Sequence, residues 1–421
     1  RGEMIPLTEN QNMLLVDLHH IISDGVSMSI IMDEFVKAYD GQALPPLSVQ
    51  YKDYASWHNE QVNHGFIKDQ ESYWLDIFKK EPPVLELPTD FPRPSIQSYE
   101  GNTVSRILGD DITEPLHKLA AETQSTLFMI LLAVYNVVLS KHARQDDIVI
   151  GTPVAGRRHP DTEKIVGMFV NTLALRTSPS SEKSLSAFLD EVKEAVLSAF
   201  EHQEYPFEQL VEKLALRRDV SRSPIFDTMF VMQNTKGQPL QSSGLEFKPF
   251  PFNPGVSRFD LTLSAEETGS YLHLNLEYNS ALFQKDTVER FLDHMVVVLR
   301  SFVAHSTQTI GDTDLLTTVE KEVILKKFNG TAAPYPREKT IHQLFEEQVE
   351  RTPEHPAALY QDRQLTYREL NAQANRVAHV LRKKGIGPDQ MVGIAVHRSL
   401  EMIVGLLGIL KAGGAYLPLH P

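Results

Sequence analysis

Residues 17–27 read DLHHIISDGVS, an adjacent pair of histidines, His19 and His20, followed at a short fixed distance by Asp24 and Gly25. An imidazole titrates close to neutrality and is the ordinary side chain for holding or moving a proton. A carboxylate at Asp24 can fix an imidazole tautomer or pair with an arginine that braces the turn. Gly25 lets the backbone approach a ligand closely or take positive φ. Such a group suits acyl transfer to an amine: His20 holds or deprotonates the nitrogen, and a backbone N–H of the turn meets the developing oxyanion. A free α-amine titrates near ~8, so it needs only modest help from a base at neutral pH. Orientation counts for more, because proximity supplies about 7–11 kcal/mol against roughly 3–6 kcal/mol for acid–base assistance.

The same residues have plainer uses. If 13–20 are extended, neighbouring side chains point to opposite faces, so one histidine packs into the sheet while the other enters a cavity. A histidine at a strand end is commonly a satisfied structural residue. Zinc is disfavoured, since the two imidazoles diverge and no second ligand cluster follows. No metal site is expected.

Composition narrows the chemistry further. The chain has no cysteine, which removes disulfides, thiolate metal sites and a cysteine nucleophile together. Its net charge of −14 is spread along the chain and argues against nucleic acid as a partner. The longest apolar stretches, Leu127 to Tyr135 and Met402 to Leu410, fall short of the roughly 20 residues of a membrane span. No membrane association is expected, and because RGEMIPLTEN carries no targeting pattern, the cytoplasm is the expected compartment.

At 421 residues the chain is long enough for two or three domains. MLLVDL (13–18) reads as a mostly buried strand running straight into the histidine pair. Met28, Ile31, Met32, Phe35 and Tyr39 then follow helical spacing, with Gly41 placed to stop the helix, so the motif is a strand-to-helix turn. Two amphipathic helices (51–60, 69–81) precede a proline-rich connection, LPTDFPRPSIQSYEG. From Ile112 to Ala143 the pattern is mainly helical. A short buried strand leading into a glycine- and proline-containing turn at 146–157, strands at 167–177, 226–234, 258–267 and 271–279, and helices at 184–203, 206–214 and 284–305 complete an α/β arrangement of helices packed on sheets. Residues 306–339 are polar and rich in turn formers, as in a linker. Beyond them a capped helix at 341–351 and alternating strands and helices describe a second α/β unit, in which Lys411 complements a helix dipole. The first strand has no earlier partner and the last segment has few strands, so a central slice of a longer polypeptide is expected.

HHIISDG resembles the HHxxxDG motif of condensation domains in nonribosomal peptide synthetases. YKDYASW (51–57), IGTPVAGR (150–157), VGMFVNTLALR (166–176), HQEYPFEQLV (202–211) and RDVSRSPIFD (218–227) are similar to further blocks of that family, in the same order. LTYREL (365–370) and LKAGGAYLPLHP (410–421) resemble the first two core motifs of adenylation domains, with His420 where that family usually has aspartate. The resemblance implies a chloramphenicol-acetyltransferase-like fold of two lobes in a V, with the site in a tunnel between them. It implies a condensation domain over 1–305, its first part missing and its lobe boundary near 60–110, then a linker at 306–339 and an N-terminal adenylation fragment at 340–421.

The same resemblance implies roles. His20 is the active-site histidine and Gly25 lies at the reacting carbonyl. His19 and Asp24 are mainly architectural, and the arginine bracing Asp24 is Arg157, Arg158 or a residue upstream of residue 1. Ser27 and Asn171 are candidates for lining the tunnel, although helix capping and strand packing explain them equally well. The implied reaction joins a donor aminoacyl or peptidyl thioester to the amine of an acceptor aminoacyl thioester. Both arrive on 4′-phosphopantetheine arms of partner carrier domains, an upstream donor and a downstream acceptor, beside the adjoining adenylation domain. No cofactor is covalently bound to the chain itself. ATP and magnesium belong to the missing part of the adenylation domain, so the chain alone is not expected to activate an amino acid. An epimerization domain shares HHxxxDG but usually carries different later blocks; heterocyclization replaces the histidine motif; a non-catalytic platform that positions carriers is the third alternative.

Overall fold

A computed structural model describes all residues except 66, 234–240, 243, 249, 251 and 252. The chain divides into two compact units, Arg1–Ile324 and Leu325–Pro421. In the first, β1 (Gly2–Thr8) and β2 (Gln11–Val16) pair as an antiparallel hairpin, followed by α1 (Gly25–Tyr39), α2 (Tyr51–Asn63) and α3 (Lys68–Ile77). Then come β3 (Gly101–Leu108), α4 (Asp110–Thr123), α5 (Leu127–Ala143), β4 (Ile148–Val154), β5 (Asn171–Thr177), α6 (Leu185–Glu201), α7 (Phe207–Leu214) and β6 (Thr228–Gln233). The end of the strand expected at 226–234 lies outside the described residues. A short pair, β7 (Gln241–Ser242) and β8 (Leu245–Glu246), precedes β9 (Leu261–Thr268), β10 (Tyr271–Asn279), α8 (Lys285–Ala304) and α9 (Thr318–Glu322). The segment read as a linker, 306–339, thus contains a helix, and the boundary between the two units falls inside it.

Six strands form one mixed sheet in the order β3-β10-β9-β6-β4-β5. Only the β4–β6 and β6–β9 pairs are parallel. Helix α5 packs against β4, α6 and α8. It is apolar all round because nearly every position from Leu127 to Ser140 is buried, as expected of a central core helix rather than a surface one. Truncating a fully buried leucine there, such as Leu131 or Leu139, costs about 2–5 kcal/mol. Among the described residues no single helix is long and apolar enough to cross a membrane.

The main apolar cluster begins at Ile67 and runs to Ile310, leaving the first sixty residues outside it. That overturns the expectation of a mostly buried strand at 13–18. The hairpin has only two strands, and Leu15 and Leu7 on it are exposed. Strand β3 is unanticipated in sequence because Arg106 shares the face of the buried Val104 and Leu108 and breaks the apolar alternation. Its guanidinium is paired with Asp293 on α8.

The second unit contains α10 (Ile341–Arg351), the antiparallel pair β11 (Pro356–Tyr360) and β12 (Arg363–Thr366), α11 (Tyr367–Lys383), the parallel pair β13 (Met391–Ile394) and β14 (Ala415–Pro418), and α12 (Leu400–Ala412). Gly408 lets α11 and α12 approach closely, since a Cβ there would lie 2.6 Å from Val377. Dipole complementarity does not account for Lys411. Its ammonium is buried and bonded to Glu346, Asn371 and Asn375, so it ties α10 and α11 to α12. A desolvated charge requires such partners.

Candidate active site

Strand β2 stops at Val16, short of the histidines. His19 is extended and its Nδ1 accepts the N–H of Ile21 at 3.1 Å, capping a single 3-10 turn over His20–Ile22. The expectation that both histidines lie on one extended strand, on opposite faces, therefore fails. The local hydrogen bond of His19 turns the chain before His20, and both residues are exposed. Ser23 is buried and extended, and Asp24 then caps α1. Gly25 is the first helical residue and does not have positive φ, so that option lapses. Among the described residues a Cβ at Gly25 would meet nothing within 4 Å, which leaves space against the helix N-terminus. The first-turn N–H groups of α1 at Gly25 and Val26 have no acceptor inside the helix.

Asp24 is the hub of this turn. Its Oδ1 accepts the Ser27 N–H at 2.8 Å and the Ser27 hydroxyl at 2.7 Å, and its Oδ2 accepts the Phe169 N–H at 3.1 Å. Arg157 Nη2 donates to Oδ1 at 3.0 Å and to Oδ2 at 3.2 Å. Burial by itself would raise the pKa of this carboxyl. The donors from Ser27, Phe169 and Arg157 outweigh burial and hold it below the ordinary aspartate value.

Arg157, Gly167 and Phe169 all belong to the 155–170 excursion that joins β4 to β5. Of the two arginines considered as the brace, Arg157 is the one on Asp24; Arg158 faces Glu204 at 3.6 Å. Arg157 Nη1 also donates to the carbonyls of Thr162 and Ile165, and its guanidinium lies 4.1 Å from the Phe169 ring centre. Its Nε is buried without a hydrogen-bond partner among the described residues. The excursion folds back on itself at Gly156, where φ is +64° and a Cβ would sit 2.0 Å from the Phe169 carbonyl oxygen.

The two candidates for substrate contact are committed to the scaffold. Ser27 is fully buried, and its hydroxyl is shared among Asp24, the N–H and carbonyl of Gly167, and Arg157. Asn171 donates to the carbonyls of Gln203 and Tyr205 and accepts from the N–H of Phe207 and Thr172, tying β5 to the approach to α7. Gly156, Gly167 and Phe169 carried no role in the sequence reading although each lies in or beside a quoted block. The glycines act through their backbone, and Phe169 through its N–H as well as its ring; backbone groups leave little trace in side-chain chemistry. Among the described residues no group of three or more His, Cys, Asp or Glu is placed to hold a metal.

A mixed sheet layered with helices, and a histidine turn braced by an excursion between two of its strands, define a chloramphenicol-acetyltransferase-like condensation fold. The condensation-domain family matches residues 1–325 and the AMP-binding enzyme family matches residues 345–421. The chain belongs to the condensation-domain family of nonribosomal peptide synthetases, followed by the start of an adenylation domain. It is 50% identical over its full length to tyrocidine synthase 3 of Brevibacillus parabrevis, of which it covers 6%. It is 49% identical over its full length to gramicidin S synthase 2 of Brevibacillus brevis, of which it covers 10%. The chain thus spans a tenth or less of these relatives. In fold it is similar to the crystal structure of a four-domain nonribosomal peptide synthetase bound to AMP and glycine, with a TM-score of 0.84 at 24% identity, covering all of this chain and 33% of that one.

Proposed function

We propose that this chain forms an amide bond between a donor aminoacyl or peptidyl thioester and the amine of an acceptor aminoacyl thioester. His20 holds the acceptor nitrogen and takes its proton as the carbon–nitrogen bond forms. The first-turn N–H groups at Gly25 and Val26 receive the negative charge that develops on the carbonyl oxygen. The tetrahedral intermediate then collapses, the carbon–sulfur bond breaks, and the pantetheine sulfur of the donor carrier leaves as a thiol by taking back the proton from His20. Carrier domains on both sides deliver these arms as substrates; ATP plays no part at this site, because the thioester already carries the activation.

The observation that supports this reading is the contrast between a locked support and an open working face. Asp24 is buried and fully bonded, whereas His20 and the space beside Gly25 are accessible. Support of that kind fixes orientation, which is worth more here than base strength. The test is His20→Ala in the intact synthetase with loaded donor and acceptor carriers, followed by mass spectrometry of the carrier-bound product. Amide formation is expected to fall 10²- to 10⁴-fold, about the usual acid–base share, with carrier binding retained. Undiminished turnover would leave the chain a platform, and a racemised α-carbon without a new amide would make it an epimerization domain.

A further inference from the structure

The YKDYASW block has no part in the chemistry proposed above, yet its first residue reaches the brace behind it. Tyr51 opens α2, and its hydroxyl donates to the Met168 carbonyl at 2.7 Å. Its ring lies against Gly167, where a Cβ would come 2.0 Å from Cδ2 of the tyrosine, and meets the Phe169 ring edge-on with centres 5.1 Å apart. On either side of Met168, the Gly167 N–H and carbonyl bond the Ser27 hydroxyl and the Phe169 N–H bonds Asp24. Three consecutive residues are therefore gripped from two directions: the outer two by the turn that carries His20, the middle one by α2. A peptide unit held only at one side can rotate in place, and rotation about 168–169 would swing the Phe169 N–H off the carboxylate.

From this geometry we infer that Tyr51 is a positioning residue for the amide-forming reaction, fixing the 167–169 backbone so that it holds Asp24, and through Asp24 the orientation of His20. The inference rests on the reading of His20 given above. A phenol keeps its proton as a donor at neutral pH, and burial, then the nearby Asp24 charge, push that of Tyr51 further above its ordinary pKa. Tyr54 is the next ring along, 4.6 Å from Phe169, and it packs without supplying a bond to the excursion.

The experiment is Tyr51→Phe in the intact synthetase, which keeps the ring and removes one hydroxyl. Its expected signature is a fall in kcat of about tenfold, the size of one lost hydrogen bond at a positioned group, with KM for the loaded acceptor carrier unchanged. Amide hydrogen exchange at Phe169 is expected to quicken about tenfold. If Tyr51 acts through Asp24, the kcat effect shrinks below about twofold when the substitution is made in an Asp24→Asn background. Should Asp24→Asn not fold, Ser27→Ala, which removes a hydroxyl from the same network, replaces it in the cycle. Unchanged kcat, a rise in KM alone, unchanged exchange at Phe169, or equal losses in both backgrounds overturns the inference. Full turnover by His20→Ala in parallel would instead overturn the catalytic reading, and the exchange measurement would still decide whether Tyr51 holds the backbone.

Discussion

Arg157→Met keeps much of the aliphatic stem and removes the guanidinium, both from Asp24 and from over the Phe169 ring. Stripping one partner from a buried ion pair typically costs about 3–5 kcal/mol. Here Asp24 keeps three donors, the Ser27 N–H, the Ser27 hydroxyl and the Phe169 N–H, which places the pair at or below the bottom of that range. The carbonyls of Thr162 and Ile165 also lose a donor, at roughly 1 kcal/mol each. Together these give an expected loss of about 3–5 kcal/mol at pH 7, or about 4–7 °C in Tm for a unit of this size. Urea unfolding followed by tryptophan fluorescence reads it cleanly, since the two tryptophans, Trp57 and Trp74, both lie in the first unit. The pH dependence gives a second check. In the wild type the folded pKa of Asp24 is below its unfolded value of about 3.8, so its contribution is present above that pH and lost as pH falls through the folded pKa. Removing the guanidinium raises the folded pKa, so the variant sheds less stability on acidification and its deficit narrows below about pH 4. A loss under about 1 kcal/mol at pH 7, or a deficit that widens on acidification, refutes the brace.

A second titration should be visible nearer neutrality. His142 stacks on Phe291 and meets His294 at 3.0 Å; His294 in turn contacts Glu320. Burial, then His294, depress the His142 pKa to about 4, with Glu320 opposing and Arg290 assisting. The folded state therefore favours the neutral ring. Stability from this group is complete above about pH 6.5 and declines as pH drops toward 4, by about 3 kcal/mol in total. His142→Gln should flatten the urea-midpoint profile across that window, and a profile as steep as wild type would assign the titration elsewhere. Gly156→Ala meets both a left-handed backbone and the Phe169 carbonyl, so a loss of about 2–5 kcal/mol is expected in the same assay; tolerance of alanine there would mean that the excursion gives way easily.

Most helices and strands of both units were legible from periodicity and caps. The apolar run of α5 is nearly continuous, α1 is stopped near Gly41, and Thr340 caps α10. These are local signals, carried by neighbours three or four positions apart. The histidine motif was equally plain as chemistry, because adjacent residues of the right types need no fold to be noticed.

What surrounds that motif was settled only in three dimensions. Nothing local distinguishes Arg157 from Arg158 as the partner of Asp24, more than a hundred positions away; the choice follows from which arginine the excursion turns inward after Gly156. By residue type Ser27 and Asn171 suit substrate or scaffold equally; their hydrogen bonds commit them to the scaffold. Strand β3 escaped notice because an arginine paired across to α8 occupies an apolar position. Short-range spacing thus determined most of the elements and named the candidate reactive residue, whereas long-range burial decided which polar groups lost their water and had to satisfy one another.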